Sequence, residues 1–171
     1  MINQIKENIW QIRLSSYGSC MYFIKLNNQK IIIDTGYSIN REEIIENLKQ
    51  LKTKPSEIDI LILTHDHPDH VGNIDLFENA KIYASKKDFP SQGILDIILL
   101  NIPEFQIIET PGHTKGGICI LYEDVLFSGD TIFHNRGIGR MDLPGGSEKE
   151  MSKSLQKLKS IDYKILCPGH I

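Results

Sequence analysis

Little in this chain offers a covalent framework, a membrane anchor or a nucleic-acid grip. Its 171 residues include 3 cysteines, Cys20, Cys119 and Cys167, odd in number and widely spaced. That spacing argues against a disulfide-stapled domain. Cys119 and Cys167 lie in apolar, strand-like runs, where buried free thiols are expected. No apolar run approaches the ~20 residues of a membrane span. The stretch from Met1 to Asn8 is polar and mixed in charge, without the apolar core of a signal peptide. A cytoplasmic protein without membrane contact is therefore expected. Basic residues are not in surplus: the net charge is −3, and neutralising phosphates needs a clustered positive excess, so no nucleic-acid partner is expected. A Gly-x-Ser-x-Gly nucleophile elbow is missing too. Without a linker or low-complexity tract, residues 1–171 read as a single domain, long enough to bury roughly 70% of its unfolded surface.

What the chain does have is histidine in one place. Three of its 6 histidines fall in Thr64-His65-Asp66-His67-Pro68-Asp69-His70, directly after the apolar run Ile60 to Leu63. That run reads as a buried strand, which delivers its C-terminal end to a fixed place. Pro68 is expected to bar a helix through the cluster and to bias Asp66 and His67 toward extended or turn geometry. In an extended segment His65 and His67 point to the same side, so both imidazoles can meet one ion. Asp69 and His70 follow the turn and can reach a second point a few Å away. A single histidine is usually a solvated or satisfied side chain. A cluster of this density points to a metal instead.

Along the chain, Ile9 to Leu14, Cys20 to Leu26 and Lys30 to Asp34 read as strands of an antiparallel meander, with turns at Tyr17-Gly18-Ser19 and Asn27-Asn28-Gln29. Ile44, Ile45, Leu48 and Leu51 follow helical spacing, with Asn40 as N-cap, Glu43 at N3 and Pro55 beyond the end. Further strands are expected at Lys81 to Ala84, Phe105 to Glu109, Gly117 to Leu121, Val125 to Phe127 and Lys164 to Cys167. Ser147 and Glu150 form a capping-box pattern before a helix whose apolar face is Met151, Leu155 and Leu158. Ser85 to Asn101 is ambiguous. Ile94 to Leu100 is too apolar for a free loop, and a core strand, a short helix or a wall of the substrate pocket all fit, the wall best. The alternation suggests sheets covered by helices.

The pattern His65-x-His67-x-Asp69-His70 resembles the signature of the metallo-β-lactamase-fold superfamily. So do Asp34-Thr35-Gly36, Pro111-Gly112-His113-Thr114, Ser128-Gly129-Asp130 and Pro168-Gly169-His170, in that order. Gly139-Arg140-Met141-Asp142-Leu143-Pro144-Gly145-Gly146 is similar to a loop of the short glyoxalase-II-like hydrolases. The resemblance implies an α/β fold, an αββα sandwich of two mixed β-sheets flanked by helices. It implies that His65, His67 and His113 hold one metal, that Asp69, His70 and His170 hold a second, and that Asp130 bridges them. Asp69 and Asp130 would be the carboxylates taking part in catalysis. Two Zn2+ suit this donor set, and iron or manganese also accept it.

Such a pair of ions would lower the pKa of a shared water to about 7, giving a bridging hydroxide nucleophile, and would polarise a carbonyl. The resemblance thus implies a dinuclear hydrolase of a small-molecule thioester, such as a hydroxyacyl-glutathione. Alternatives on the same residues are a persulfide dioxygenase, with one iron on His65, His113 and Asp130, and a lactonase or β-lactamase. Glyoxalase II proper has a C-terminal helical domain that helps hold glutathione, whereas this sequence stops at Ile171. Asp34 and Asp66 are candidates to orient the ligand histidines, although Asp34 can equally be a turn residue before Gly36. Arg136 and Arg140 are candidates to bind an anionic substrate group. Arg140 can instead pair with Asp142 and fix its loop. His134 reads as a loop residue, and Cys167 as a conceivable but unneeded thiolate ligand.

Overall fold

A computed structural model describes residues 1–16, 19–91 and 93–171. The chain separates into two compact units, Met1–Leu63 with His67–Tyr83, and Thr64–Asp66 with Ala84–Ile171. The turn expected at Tyr17-Gly18-Ser19 lies partly outside the described residues.

The first unit is built on a mixed sheet in which β1 (Ile2–Lys6), β2 (Ile9–Ile12), β3 (Met21–Leu26), β4 (Gln29–Ile33), β5 (Ile60–Ile62) and β6 (Lys81–Ala84) follow one another in order. β1 to β4 pair antiparallel, as the short links require, while β5 pairs parallel to β4 and to β6. The β3–β4 hairpin turns on Asn27 and Asn28, at φ 49° and 66°. Asparagine tolerates this left-handed pair, the geometry a two-residue hairpin prefers. Ile31, Ile32, Leu61 and Ile62 are fully buried, the composition of strands covered on both faces.

Helix α1 (Arg41–Gln50) buries Ile44 and Leu48 as its spacing predicts. Its expected capping box does not form. Asn40 instead accepts from the Tyr37 N–H and donates to the Ser16 carbonyl, and Glu43 accepts from the Ser15 N–H and hydroxyl. Tertiary partners thus outcompete the local cap.

No helix runs through the whole cluster, as Pro68 requires: His65 to His67 lie outside one. Pro68 itself opens a short helix, α2 (Pro68–Val71), which takes in Asp69 and His70; at a helix start its fixed φ is favourable and its missing N–H is harmless. His67 before it is extended, at φ −120° and ψ 147°. β1 is a strand that the polar, half-exposed stretch Ile2–Lys6 concealed.

The second unit is built on a four-stranded mixed sheet in the order β11-β10-β9-β8. Its strands are β8 (Phe105–Glu109), β9 (Ile118–Tyr122), β10 (Val125–Gly129) and β11 (Ile165–Pro168), with β10 and β11 parallel. Helix α3 (Glu148–Leu158) starts where Ser147 accepts from the Glu150 N–H at 3.3 Å, as expected. It lays Leu158 on Ile108, Cys119 and Leu126, a burial of about 1.5–3 kcal/mol for such a side chain. The ambiguous stretch folds as a two-residue strand, β7 (Leu95–Asp96), and one 3-10 turn, Ile97–Leu99. Ile97 is buried, yet Ile98 and Leu99 are 82% and 62% exposed, so its apolar character does not mark a core strand. Among the described residues, no helix is long and apolar enough to cross a membrane.

Candidate metal centre

In the first unit the ligand-type residues sit on α2 and on the turn after β4. The His70 ring is wholly buried, and its Nδ1 lies 2.8 Å from Asp34 Oδ2. A buried carboxylate accepting there fixes the Nδ1–H tautomer, so the Nε2 lone pair is the one presented to a metal. Asp69 Oδ2 lies 3.7 Å from that Nε2.

Several hydrogen bonds hold this corner. The His70 carbonyl accepts from the Thr35 N–H at 2.7 Å and from the Thr35 hydroxyl at 3.0 Å. Asn73 donates its side-chain amide to the carbonyls of Thr35 and Tyr37. Asp34 itself takes a left-handed φ of 60°, uncommon outside glycine. That strained backbone and the contact to His70 accompany each other. His67 stands one residue before the helix, and its carbonyl accepts from the N–H of His70.

The second unit collects the other four. His65 follows Thr64, whose hydroxyl lies 3.0 Å from His65 Nδ1 and whose carbonyl accepts from the Ile118 N–H. The His65 and His113 rings meet edge to face, with centroids 4.8 Å apart. Asp130 follows β10, and His170 follows β11, its parallel neighbour; the two strand ends are tied by Gly169 N–H donating to the Gly129 carbonyl at 2.7 Å. Asp130 Oδ2 then lies 3.6 Å from His113 Nε2 and 3.4 Å from His170 Nε2. Ligand atoms of His65 and Asp130 also lie within 4.8 Å of each other.

His113 Nδ1 lies 2.6 Å from the Arg140 carbonyl. A carbonyl can only accept, so Nδ1 carries the proton and Nε2 keeps its lone pair. The donor set is therefore imidazole nitrogens, with the tautomer fixed at His70 and His113, plus carboxylates, which fits a borderline ion such as zinc.

Of the residues proposed to surround this set, Asp34 contacts a histidine directly. Asp66 is exposed, and its backbone N–H reaches Asp88 Oδ2 at 3.4 Å. Arg140 pairs bidentately with Asp142 at 2.8 and 2.6 Å. Hydrogen bonding from that guanidinium draws the Asp142 carboxyl down to about 2. The loop's contact with the site is thus the Arg140 main chain rather than its cation. Arg136 and His134 are exposed on a one-turn 3-10 helix, His134–Arg136. Cys119 is pushed up to about 11 by burial, which leaves a thiol and no thiolate. Cys167 is likewise buried.

One residue escaped the sequence reading. Asp88 accepts from the Thr114 hydroxyl and the Gly116 N–H, both at 2.6 Å, and from the Asp66 N–H. It joins the segment that carries His65 to the turn that carries His113. The available signal was its place just after β6, since the other ligand turns also follow strand ends.

The arrangement has close relatives in fold. A metallo-beta-lactamase family protein from Thermus thermophilus superposes with a TM-score of 0.84 at 18% identity, covering 98% of this chain and 75% of that one. A protein crystallised in a di-iron-bound form gives a TM-score of 0.82 at 24% identity, over 94% of this chain and 91% of that one. Two mixed sheets with flanking helices in this order are the metallo-β-lactamase fold.

The sequence matches the metallo-beta-lactamase superfamily over residues 17–88 and 80–170, and the chain belongs to that superfamily. A probable metallo-hydrolase of Methanocaldococcus jannaschii is 36% identical over 143 residues, 82% of this chain and 70% of that protein. A probable polyketide biosynthesis zinc-dependent hydrolase of Bacillus subtilis is 30% identical over 92% of this chain and 75% of its own length. The hydroxyacylglutathione hydrolase of Serratia proteamaculans is 33% identical over 87% of this chain, which spans only 61% of that enzyme.

Proposed function

We propose that this protein is a dinuclear metal-dependent hydrolase acting on a thioester, of which a hydroxyacyl-glutathione is the type. Metal-dependent hydrolysis is supported by the superfamily and by the character of the relatives. A thioester substrate is supported by relatives at 33% identity and by the Gly139 to Gly146 loop. In this reading His65, His67 and His113 would hold one ion, Asp69, His70 and His170 the other, and Asp130 would serve both.

The observation that carries two ions is the Asp130 carboxylate. One of its oxygens faces both His113 and His170, histidines assigned to different ions, at 3.6 and 3.4 Å. Zinc, were it bound there, would supply a water with a pKa near 7 and a Lewis acid for the carbonyl. The chain's own part is orientation. Asp34 and the Arg140 carbonyl each hold a ring proton on Nδ1, so that Nε2 is the nitrogen that would ligate. Asp69 and Asp130 bring negative charge that tempers a doubly cationic centre.

Elemental analysis of protein prepared with zinc, paired with hydrolysis of a hydroxyacyl-glutathione thioester, tests the reading. Close to two ions per chain and thioester cleavage that chelation abolishes are expected. A single tightly bound iron with oxygen-consuming turnover of a persulfide would replace this reading with the dioxygenase, and iron is a metal one structural relative holds. Cleavage of a lactone or β-lactam in place of the thioester would keep the metal centre and change the substrate.

A further inference from the structure

A cavity of about 460 Å³ lies in the second unit, between α3, the end of β11 and the loop after β10. Its walls are Ile132, Phe133, Leu155, Leu158 and Leu166. Its other lining residues include His134, Arg136 and Lys159, and among the described residues no carboxylate lines it.

The two permanent cations differ in what they need explained. Lys159 caps the C-terminal end of α3, where a basic side chain is ordinary company for the helix dipole. Arg136 has no such reason. Its backbone is left-handed at φ 64°, directly after Asn135 at φ 58°, and arginine gains nothing locally from that conformation. Among the described residues neither cation makes a side-chain ion pair or hydrogen bond. The protein thus holds two uncommitted positive charges beside an apolar hollow of ligand size.

We propose that this cavity is a binding site for an amphiphilic organic anion, a carboxylate with a hydrocarbon tail. The tail takes the place of water against Leu155, Leu158 and Leu166, and the carboxylate pairs with Arg136 and Lys159. Apolar solutes lacking a charge would leave the cations unmet, and amphiphilic cations would be repelled. The site is distinct from the candidate metal centre, and it does not depend on the thioester reading. It does touch that centre's edge: Phe133 lines the cavity and sets its ring against that of His170, with centroids 6.0 Å apart at 70°.

Octanoate, octanol and octylammonium titrated into the zinc-loaded protein test the proposal, by calorimetry and by methyl NMR. Octanoate should bind saturably and shift the Leu155, Leu158 and Leu166 methyl resonances together. Its affinity should fall roughly fourfold for each methylene removed. Octylammonium should not saturate. Arg136→Gln should weaken octanoate by about threefold, and the double variant with Lys159→Gln by about tenfold, the scale of exposed charge pairs. Both side chains are exposed, so these variants should fold, and octanol binding should be unchanged in them. Octylammonium binding as tightly as octanoate, unaltered octanoate affinity in the double variant, or no saturation would each overturn the site. So would octanoate binding that leaves the three leucine methyls unmoved, which would place the carboxylate on the metal instead.

Discussion

Replacing Asp88 by alanine should disturb the metal centre without touching a ligand. Its carboxylate is the shared acceptor for the Thr114 hydroxyl, the buried Gly116 N–H and the Asp66 N–H. Two of these bonds are 2.6 Å long and charge-assisted, a class that contributes about 1.5–3 kcal/mol each. Asp88 is only half-buried, so water recovers part of that, and a net loss of about 2–4 kcal/mol is expected. In a chain of this size the melting temperature should fall by roughly 5–15 °C. The effect on metal is separable from the effect on stability. Asp88→Asn keeps the shape and one acceptor but places an amide donor opposite a donor, so it should fold while the His113 turn shifts. Zinc affinity should then drop by about 10–100-fold, the usual scale for losing a group that orients a ligand. Calorimetric zinc titration beside urea denaturation reads both quantities. Wild-type zinc affinity in a folded Asp88→Asn protein would refute the claim that Asp88 positions His113.

Asp130→Ala should lower hydrolysis by at least ~100-fold while the fold survives, and hydrolysis near wild-type level with metal content confirmed would remove Asp130 from the centre. The thiols of Cys20, Cys119 and Cys167 are all buried, so a thiol reagent at pH 8 should label the native protein slowly and all three residues quickly in denaturant. Cys119, at about 11, should be the slowest, and rapid native labelling of that residue would contradict its burial. The Asp142 carboxyl is lowered in the folded protein, so what its pairing with Arg140 contributes is present above its ordinary 3.8 and is lost as pH falls through about 2. A carbon-13 NMR titration should find Asp142 near that lower value and Arg140→Gln should return it toward 3.8; an unchanged midpoint would show that the pair does not form in solution.

How much of this could be read from the sequence divides along a physical line. Side chains that bury themselves leave a pattern, so Ile31 to Ile33, Ile60 to Ile62, Phe105 to Glu109 and the Met151 and Leu158 face of α3 were readable. The ligand-type residues, and Asp34 beside His70, were readable because their chemistry is rare and their order along the chain is distinctive. Strand β1 was not, since Ile2–Lys6 is held by pairing with β2 while its side chains stay half in water. Pro68 was half readable: it keeps His65 to His67 out of a helix, but the same ring suits a helix start, so Asp69 and His70 are helical. Asn40 carried a correct local signal, a cap, that a longer-range partner at Ser16 overrode.

The least readable part of the centre is the part made by backbone. Arg140 drew attention for its charge, yet its carbonyl is what meets His113, and a carbonyl has no signature in a sequence. The same contact explains Gly139. A Cβ built there would collide with the Asp130 carbonyl and stand 2.9 Å from His113 Nδ1, so no other residue fits unless the loop withdraws. Withdrawal would take the Arg140 carbonyl off the ring and release the tautomer it fixes. A glycine that reads as loop flexibility is therefore, in the fold, a requirement for close approach. The side chain of Arg140 points away from that contact and is fastened to Asp142, two residues on in the same loop, at the surface.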